Sequence, residues 1–133
     1  MKNIFKKGDV KIFRKKVVKA DQAIFQGELL HPVCSTFALA RDFEWSSRLF
    51  FIEMKDADEE GVGTSLHIQH KSPAFVGEEV VFTATVEEIN GMELVCGIEA
   101  RVIDRLIAVG KTGQKMFKKG KLSSIFRNPN FYR

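Results

Sequence analysis

Glu44 and His70 are the residues of this chain whose types and settings suit acid–base or nucleophilic chemistry. Glu44 lies in the stretch STFALARDFEW, residues 35–45, and shares an i, i+3, i+7, i+10, i+14 spacing with Phe37, Ala40, Ser47 and Phe51. That spacing is one face of a helix. A carboxylate buried on such a face is costly unless it is paired or working. The ordinary alternative is an edge position, with Glu44 reaching water past Ala40 and Ser47. His67 and His70 form an HxxH pair, but on a strand i and i+3 point to opposite faces, so a shared metal is not expected. Leu66, Ile68 and His70 fall on one face, which is the apolar one, so His70 is expected to point toward the helix that carries Glu44. His31 precedes Pro32 in a loop and reads as structural or exposed. Cys34 and Cys96 stand far apart, in no CxxC pattern, and read as buried reduced thiols.

These groups need elements to place them. Residues 9–19, DVKIFRKKVVK, are rich in β-formers and make a first strand. Residues 20–34 carry mixed polarity with Gly27 and Pro32 and read as a loop or short broken helix. Ser35 and Thr36 signal the start of a helix running from about 37 to 54. Beyond residue 63 the period changes to two. Residues 63–72 alternate, then Val80, Phe82, Ala84 and Val86 share a face, and Leu94, Cys96, Ile98, Ala100 and Val102 share another. Asn90-Gly91 and Asp104-Arg105 mark the tight turns, and residues 106–117 make a last strand loosened by Gly110 and Gly113. One strand, one long apolar helix and four strands in meander bury their apolar faces together if the sheet curls around the helix. That is the α+β hot-dog fold, one long helix wrapped by a five-stranded antiparallel sheet.

The chain has 133 residues and is 44% hydrophobic, with 12 Phe, enough for one domain spanning 1–133 with a real core. No apolar run approaches a membrane span, and the N-terminus lacks the apolar segment of a secretory signal. With two lone cysteines, this points to a cytoplasmic protein. Charge is uneven: residues 1–110 carry a net of −3 and residues 111–133 a net of +7, with a basic tail from about 118. The aromatics interleaved there, Phe117, Phe126, Phe131 and Tyr132, are too irregular for a nucleic-acid platform. GKTG, residues 110–113, lacks the first glycine of a phosphate loop, because Arg105 stands there, and it sits in a strand pattern. No G-x-S-x-G or G-x-G-x-x-G run occurs. Asp42 with His67 or His70 does not make the D-x-x-x-x-H run of a hydratase.

Thr36, Glu44 and His70, with EW at 44–45, HKSPAFVGEEVVFTATV at 70–86 and NGMELVCGIEARV at 90–102, resemble the fluoroacetyl-CoA thioesterase-like group of hot-dog thioesterases. The group's Thr-to-Glu spacing of eight and Glu-to-His spacing of 26 are both reproduced, at 36, 44 and 70. The resemblance covers about residues 8–122. It implies an acyl-CoA thioesterase acting on a small or medium acyl group, with Thr36, Glu44 and His70 as the catalytic set. Glu44 would be nucleophile or general base, and His70 would activate water and protonate the thiolate. Thr36 would hold the carbonyl oxygen. No metal or cofactor is implied, coenzyme A entering only as part of the substrate. Lys118 and Lys119, among the lysines of the tail, would face its phosphates. The group's G-T-H-E-R-like run is here Gly110, Lys111, Thr112, Gly113, Gln114, and the aromatic lid expected in residues 21–34 is not reproduced. A non-catalytic acyl-CoA-binding protein is the competing reading. Eight helical residues rise about 12 Å, so Thr36 and Glu44 of one regular helix cannot touch the same carbonyl. A site completed across a homodimer or higher homo-oligomer resolves this, with neither membrane nor nucleic acid as partner.

Overall fold

The computed structural model describes residues 1–128; Phe131 and Tyr132 of the basic tail lie outside the described residues. The elements are β1 (Val10–Lys16), β2 (Gln22–Phe25), β3 (Glu28–Cys34), α1 (Thr36–Met54), β4 (Glu59–His70), β5 (Glu79–Asn90), β6 (Glu93–Val102), β7 (Arg105–Lys118) and α2 (Lys119–Arg127). Five strands form one antiparallel sheet in the order β1-β5-β6-β7-β4, and α1 packs against all five. This is the hot-dog architecture. Only β5, β6 and β7 run as a meander. The expected fourth meander strand, β4, instead crosses over to pair with β7 at the far edge. Among the described residues its outer side is unpaired.

The alternating strands bury the faces their patterns assign. Val80, Phe82, Ala84 and Val86 of β5 and Leu94, Cys96, Ile98, Ala100 and Val102 of β6 are all buried. Facing them, α1 buries Ala38, Leu39, Asp42, Phe43, Ser46, Ser47, Phe50, Phe51 and Met54. Phe43 stands edge-on to Phe82 at 6.0 Å. Each large side chain so buried contributes about 1.5–3 kcal/mol. The inward stripe of α1 is therefore rotated from the one anticipated. Phe37 is 76% exposed, and Leu39, Phe43, Phe50 and Met54 hold the centre because they offer more apolar surface than Phe37 and Ala40.

Residues 20–34 are neither loop nor broken helix. A single 3-10 turn (Lys19–Asp21) leads into the β2–β3 hairpin, turned by Gln26 and Gly27, both at positive φ. The hairpin leaves Ile24, Phe25, Leu29 and Leu30 exposed. At the other end the basic segment is not a bare tail: α2 buries Leu122 and Ile125. No helix among the described residues is long and apolar enough to cross a membrane.

Candidate active site

Ser35 caps α1, its hydroxyl accepting from the Ala38 N–H at 3.0 Å, which starts the helix at Thr36. Thr36 Oγ1 then shares a hydrogen bond of 2.9 Å with Nδ1 of His70, the last residue of β4. The Nε2 of His70 is buried and has no hydrogen-bond partner among the described residues. His67 is exposed, as expected for the opposite face. The strand therefore brings two of the three sequence-chosen residues together at the N-terminal end of α1.

Glu44 sits two turns further along α1. In the single chain it is exposed rather than buried, one position off the core stripe, so the edge alternative describes it. It lines a cavity of about 230 Å³ with Arg41, Trp45, Arg48, Gly63 and Gln114. Thr36 and Glu44 are separated by the expected helical rise of about 12 Å, and among the described residues no hydrogen bond or ion pair joins Glu44 to His70.

A bulge lets one strand serve both places. Gly63 pairs with Gln114 and Ser65 with Gly113, so Thr64 is an extra residue in β4. Before the bulge the odd positions face α1: a Cβ on Gly61 would strike the Phe51 ring at 2.4 Å, and one on Gly63 would stand 2.9 Å from Glu44 Oε1. After it the even positions face inward, so Ile68 packs on the core and His70 reaches Thr36. Leu66 shares that face, although 40% exposed. Glycine at 63 leaves room for the Glu44 carboxylate to approach the strand.

Sequence reasoning missed Gln114 and the arginines. Gln114 is 5% exposed, and its Nε2 donates to Ser47 Oγ and, at 3.3 Å, to the Glu44 carbonyl. The signal available was its inward parity on β7, two residues from buried Thr112 and Met116. Arg41 donates to Asp42 and to Asp21, and these bonds, Asp42's first, hold its proton more tightly than usual against the opposing effect of burial. For Asp21, burial works to raise the carboxyl. The Val18 N–H, Lys15 and Arg41 outweigh it and leave Asp21 below the usual range. Burial pushes the Cys34 thiol up to about 11 and Cys96 up to about 12, so neither is a thiolate nucleophile near neutrality. Lys118 lies at the end of β7, ion-paired to Asp58 at 3.1 Å, and Lys119 is exposed at the start of α2.

A family model described as FlK, fluoroacetyl-CoA-specific thioesterase, matches residues 17–120. The chain belongs to this family. Among solved structures, TTHA0967 of Thermus thermophilus, a thioesterase superfamily member, superposes with a TM-score of 0.89 at 26% identity, over 94% of this chain and 93% of that one. A phenylalanine-to-alanine mutant of FlK itself gives 0.87 at 17% identity, over 95% and 98%. A hot-dog-like protein from Thermanaerovibrio acidaminovorans gives 0.85 at 21%, over 92% and 91%. No curated protein matches the sequence. FlK mutants have been seen with fluoroacetate and CoA and with acetyl-CoA.

Proposed function

We propose that this member of the FlK family is an acyl-CoA thioesterase that hydrolyses a small or medium acyl-CoA to the free acid and CoA. The observation that carries the reading is the Thr36–His70 hydrogen bond at Nδ1, with the buried Nε2 of His70 left without a partner among the described residues. A ring fixed at one nitrogen and free at the other is oriented to pass a proton at the second. In hydrolysis the water oxygen bonds to the acyl carbon and the C–S bond breaks. Glu44 takes the water proton as general base, or attacks first as nucleophile and is freed by water. His70 returns a proton to the departing thiolate. Thr36 and the first N–H groups of α1 stabilise the developing oxyanion.

Because Glu44 stands about 12 Å along the helix from Thr36, the complete site takes Glu44 from one subunit and Thr36 with His70 from another. The unpaired edge of β4 supports a homodimer, since long exposed edges are normally covered. Lys119 is offered to a CoA phosphate at the rim; Lys118 would do so by releasing Asp58. The free, buried cysteines support a reducing, cytoplasmic setting.

The second reading, an acyl-CoA binder without turnover, draws on the separation of Glu44 from His70 in the single chain. A panel of acyl-CoA esters with free-thiol detection, run on wild type and Glu44→Gln, separates the two. Thiol release by wild type that the variant loses supports the enzyme. Binding without release by either supports the binder.

A further inference from the structure

The cavity beside Glu44 carries two guanidinium groups that the hydrolysis described above does not use. Arg41 and Arg48 stand three residues before and four after Glu44 on α1, so the three side chains share one helix face. Each guanidinium is anchored from behind. Arg41 donates from Nε to Asp42 at 3.1 Å and from Nη2 to Asp42 at 3.0 Å and Asp21 at 3.1 Å, both acids being buried. Arg48 donates to Glu60 at 2.6 Å and to the Gly61 carbonyl at 3.4 Å. Two of those three acids are shared with lysines: Lys15 also holds Asp21, and Lys55 also holds Glu60. Both arginines are thus fixed in direction. Arg41 and Lys15 are matched by Asp21 and Asp42, whereas Arg48 and Lys55 share the one carboxylate of Glu60, so the charge at Arg48 is not wholly spent. A planar fork held this way presents its remaining N–H groups at little further cost in side-chain entropy.

We propose that the acyl group this site takes carries a carboxylate of its own: a short dicarboxylic acid monothioester of CoA, of succinyl to glutaryl size, with its free carboxylate held between Arg41 and Arg48. The proposal rests on the thioesterase reading in taking Glu44 as the reacting carboxylate. Residues one helical turn apart have Cβ atoms about 5–6 Å apart, the span of two or three methylenes between the thioester carbonyl and the distal carboxylate. The cavity of about 230 Å³ suits a short chain. A neutral acyl group would offer no acceptor to the N–H groups that the two guanidiniums do not already use. The phosphates of CoA are a poor match for this position, because the pantetheine arm keeps them far from the thioester that Glu44 must reach.

The test compares kcat/KM for succinyl- and glutaryl-CoA with that for acetyl-, propionyl- and butyryl-CoA, on wild type, Arg48→Met and Arg48→Lys. A charge-assisted pair of about 1.5–3 kcal/mol predicts wild-type succinyl-CoA to exceed butyryl-CoA by roughly tenfold to a hundredfold. Arg48→Met should lower that ratio by about tenfold or more, and Arg48→Lys should recover part of it. Equal rates for charged and neutral esters overturn the proposal, as does a fall in all esters together, which would assign Arg48 to the CoA moiety. If wild type releases thiol from no ester, the thioesterase reading fails separately. Calorimetry with the non-hydrolysable thioether analogues of succinyl-CoA and butyryl-CoA then decides. About tenfold tighter binding of the charged analogue upholds the proposal, and equal affinity overturns it.

Discussion

The His70 ring is held by one hydrogen bond and the Glu44 carboxylate by none among the described residues, so the two should respond differently to small changes around them. Glu44→Gln keeps shape and removes charge; it should abolish most turnover while leaving the affinity for a CoA ester nearly intact, because the CoA portion is held elsewhere. Single-turnover kinetics alongside equilibrium binding measures both. Gly63→Ala sets a Cβ 2.9 Å from Glu44 Oε1. The carboxylate is the far end of a flexible side chain and can swing away, so stability should hardly change, but kcat should fall about tenfold or more as Glu44 leaves its position. Equal kcat in the two proteins would separate Glu44 from the chemistry. Residue types singled out Glu44 and His70, the family resemblance added Thr36, and the inward parity of His70 was readable from Leu66 and Ile68. The placing of Gly63 beside Glu44 was not, because it depends on the bulge at Thr64, and a bulge leaves no periodic mark in a short polar run.

The strands were legible because β5 and β6 alternate cleanly, and α1 because its cap and length are clear; the β2–β3 hairpin was not, since its exposed apolar residues carry no alternation. Crossover of β4 is likewise invisible to local pattern, being decided by which edge can accept a strand. The first of the two turns was placed one residue early, at Asn90-Gly91 for Gly91-Met92, and the second one residue late, at Asp104-Arg105 for Ile103-Asp104. Gly91 and Ile103 each occupy the first loop position, at φ 62° and 52°. Glycine adopts that conformation freely, whereas a β-branched residue there is strained. Ile103 is 87% exposed, so replacing it loses little packing. Ile103→Gly should stabilise the chain by about 1 kcal/mol, read as a higher midpoint in urea with unchanged m-value. Gly110 has the opposite role: a Cβ there would lie 1.9 Å from the His67 carbonyl and 3.0 Å from the Phe43 ring. Backbone cannot swing aside, so Gly110→Ala should cost about 1–3 kcal/mol and displace the segment of β4 that ends in His70. The glycine that resembled part of a phosphate loop thus serves close strand packing.

Across the molecule, acid groups tie the elements together, and this fixes the direction of its pH response. Arg48, with the Gly61 N–H and Lys55, holds Glu60 down at about 2 against its ordinary 4.5; Arg105 and the Phe75 N–H keep Glu78 low as well. A carboxyl lowered on folding contributes stability above its unfolded value that is lost as pH falls through its folded one. Denaturation midpoints should therefore hold above about pH 4.5 and decline toward pH 2, with Glu60→Gln flattening part of that decline. Assembly is the larger question at this scale. The rise of α1 separates Glu44 from the Thr36–His70 pair, and the edge of β4 is open, so a site shared between subunits makes a sharp demand on mixed oligomers. Glu44→Gln and His70→Ala homodimers should each be nearly inactive. Unfolded together and refolded as an equimolar mixture, half the dimers would be mixed, and each mixed dimer would carry one site with both substitutions and one with neither. Recovery to about a quarter of wild-type activity is the expected result, at a mass that light scattering reports as dimeric. A site built wholly within one chain would give no recovery in the same mixture, because every site would still lack either its carboxylate or its imidazole.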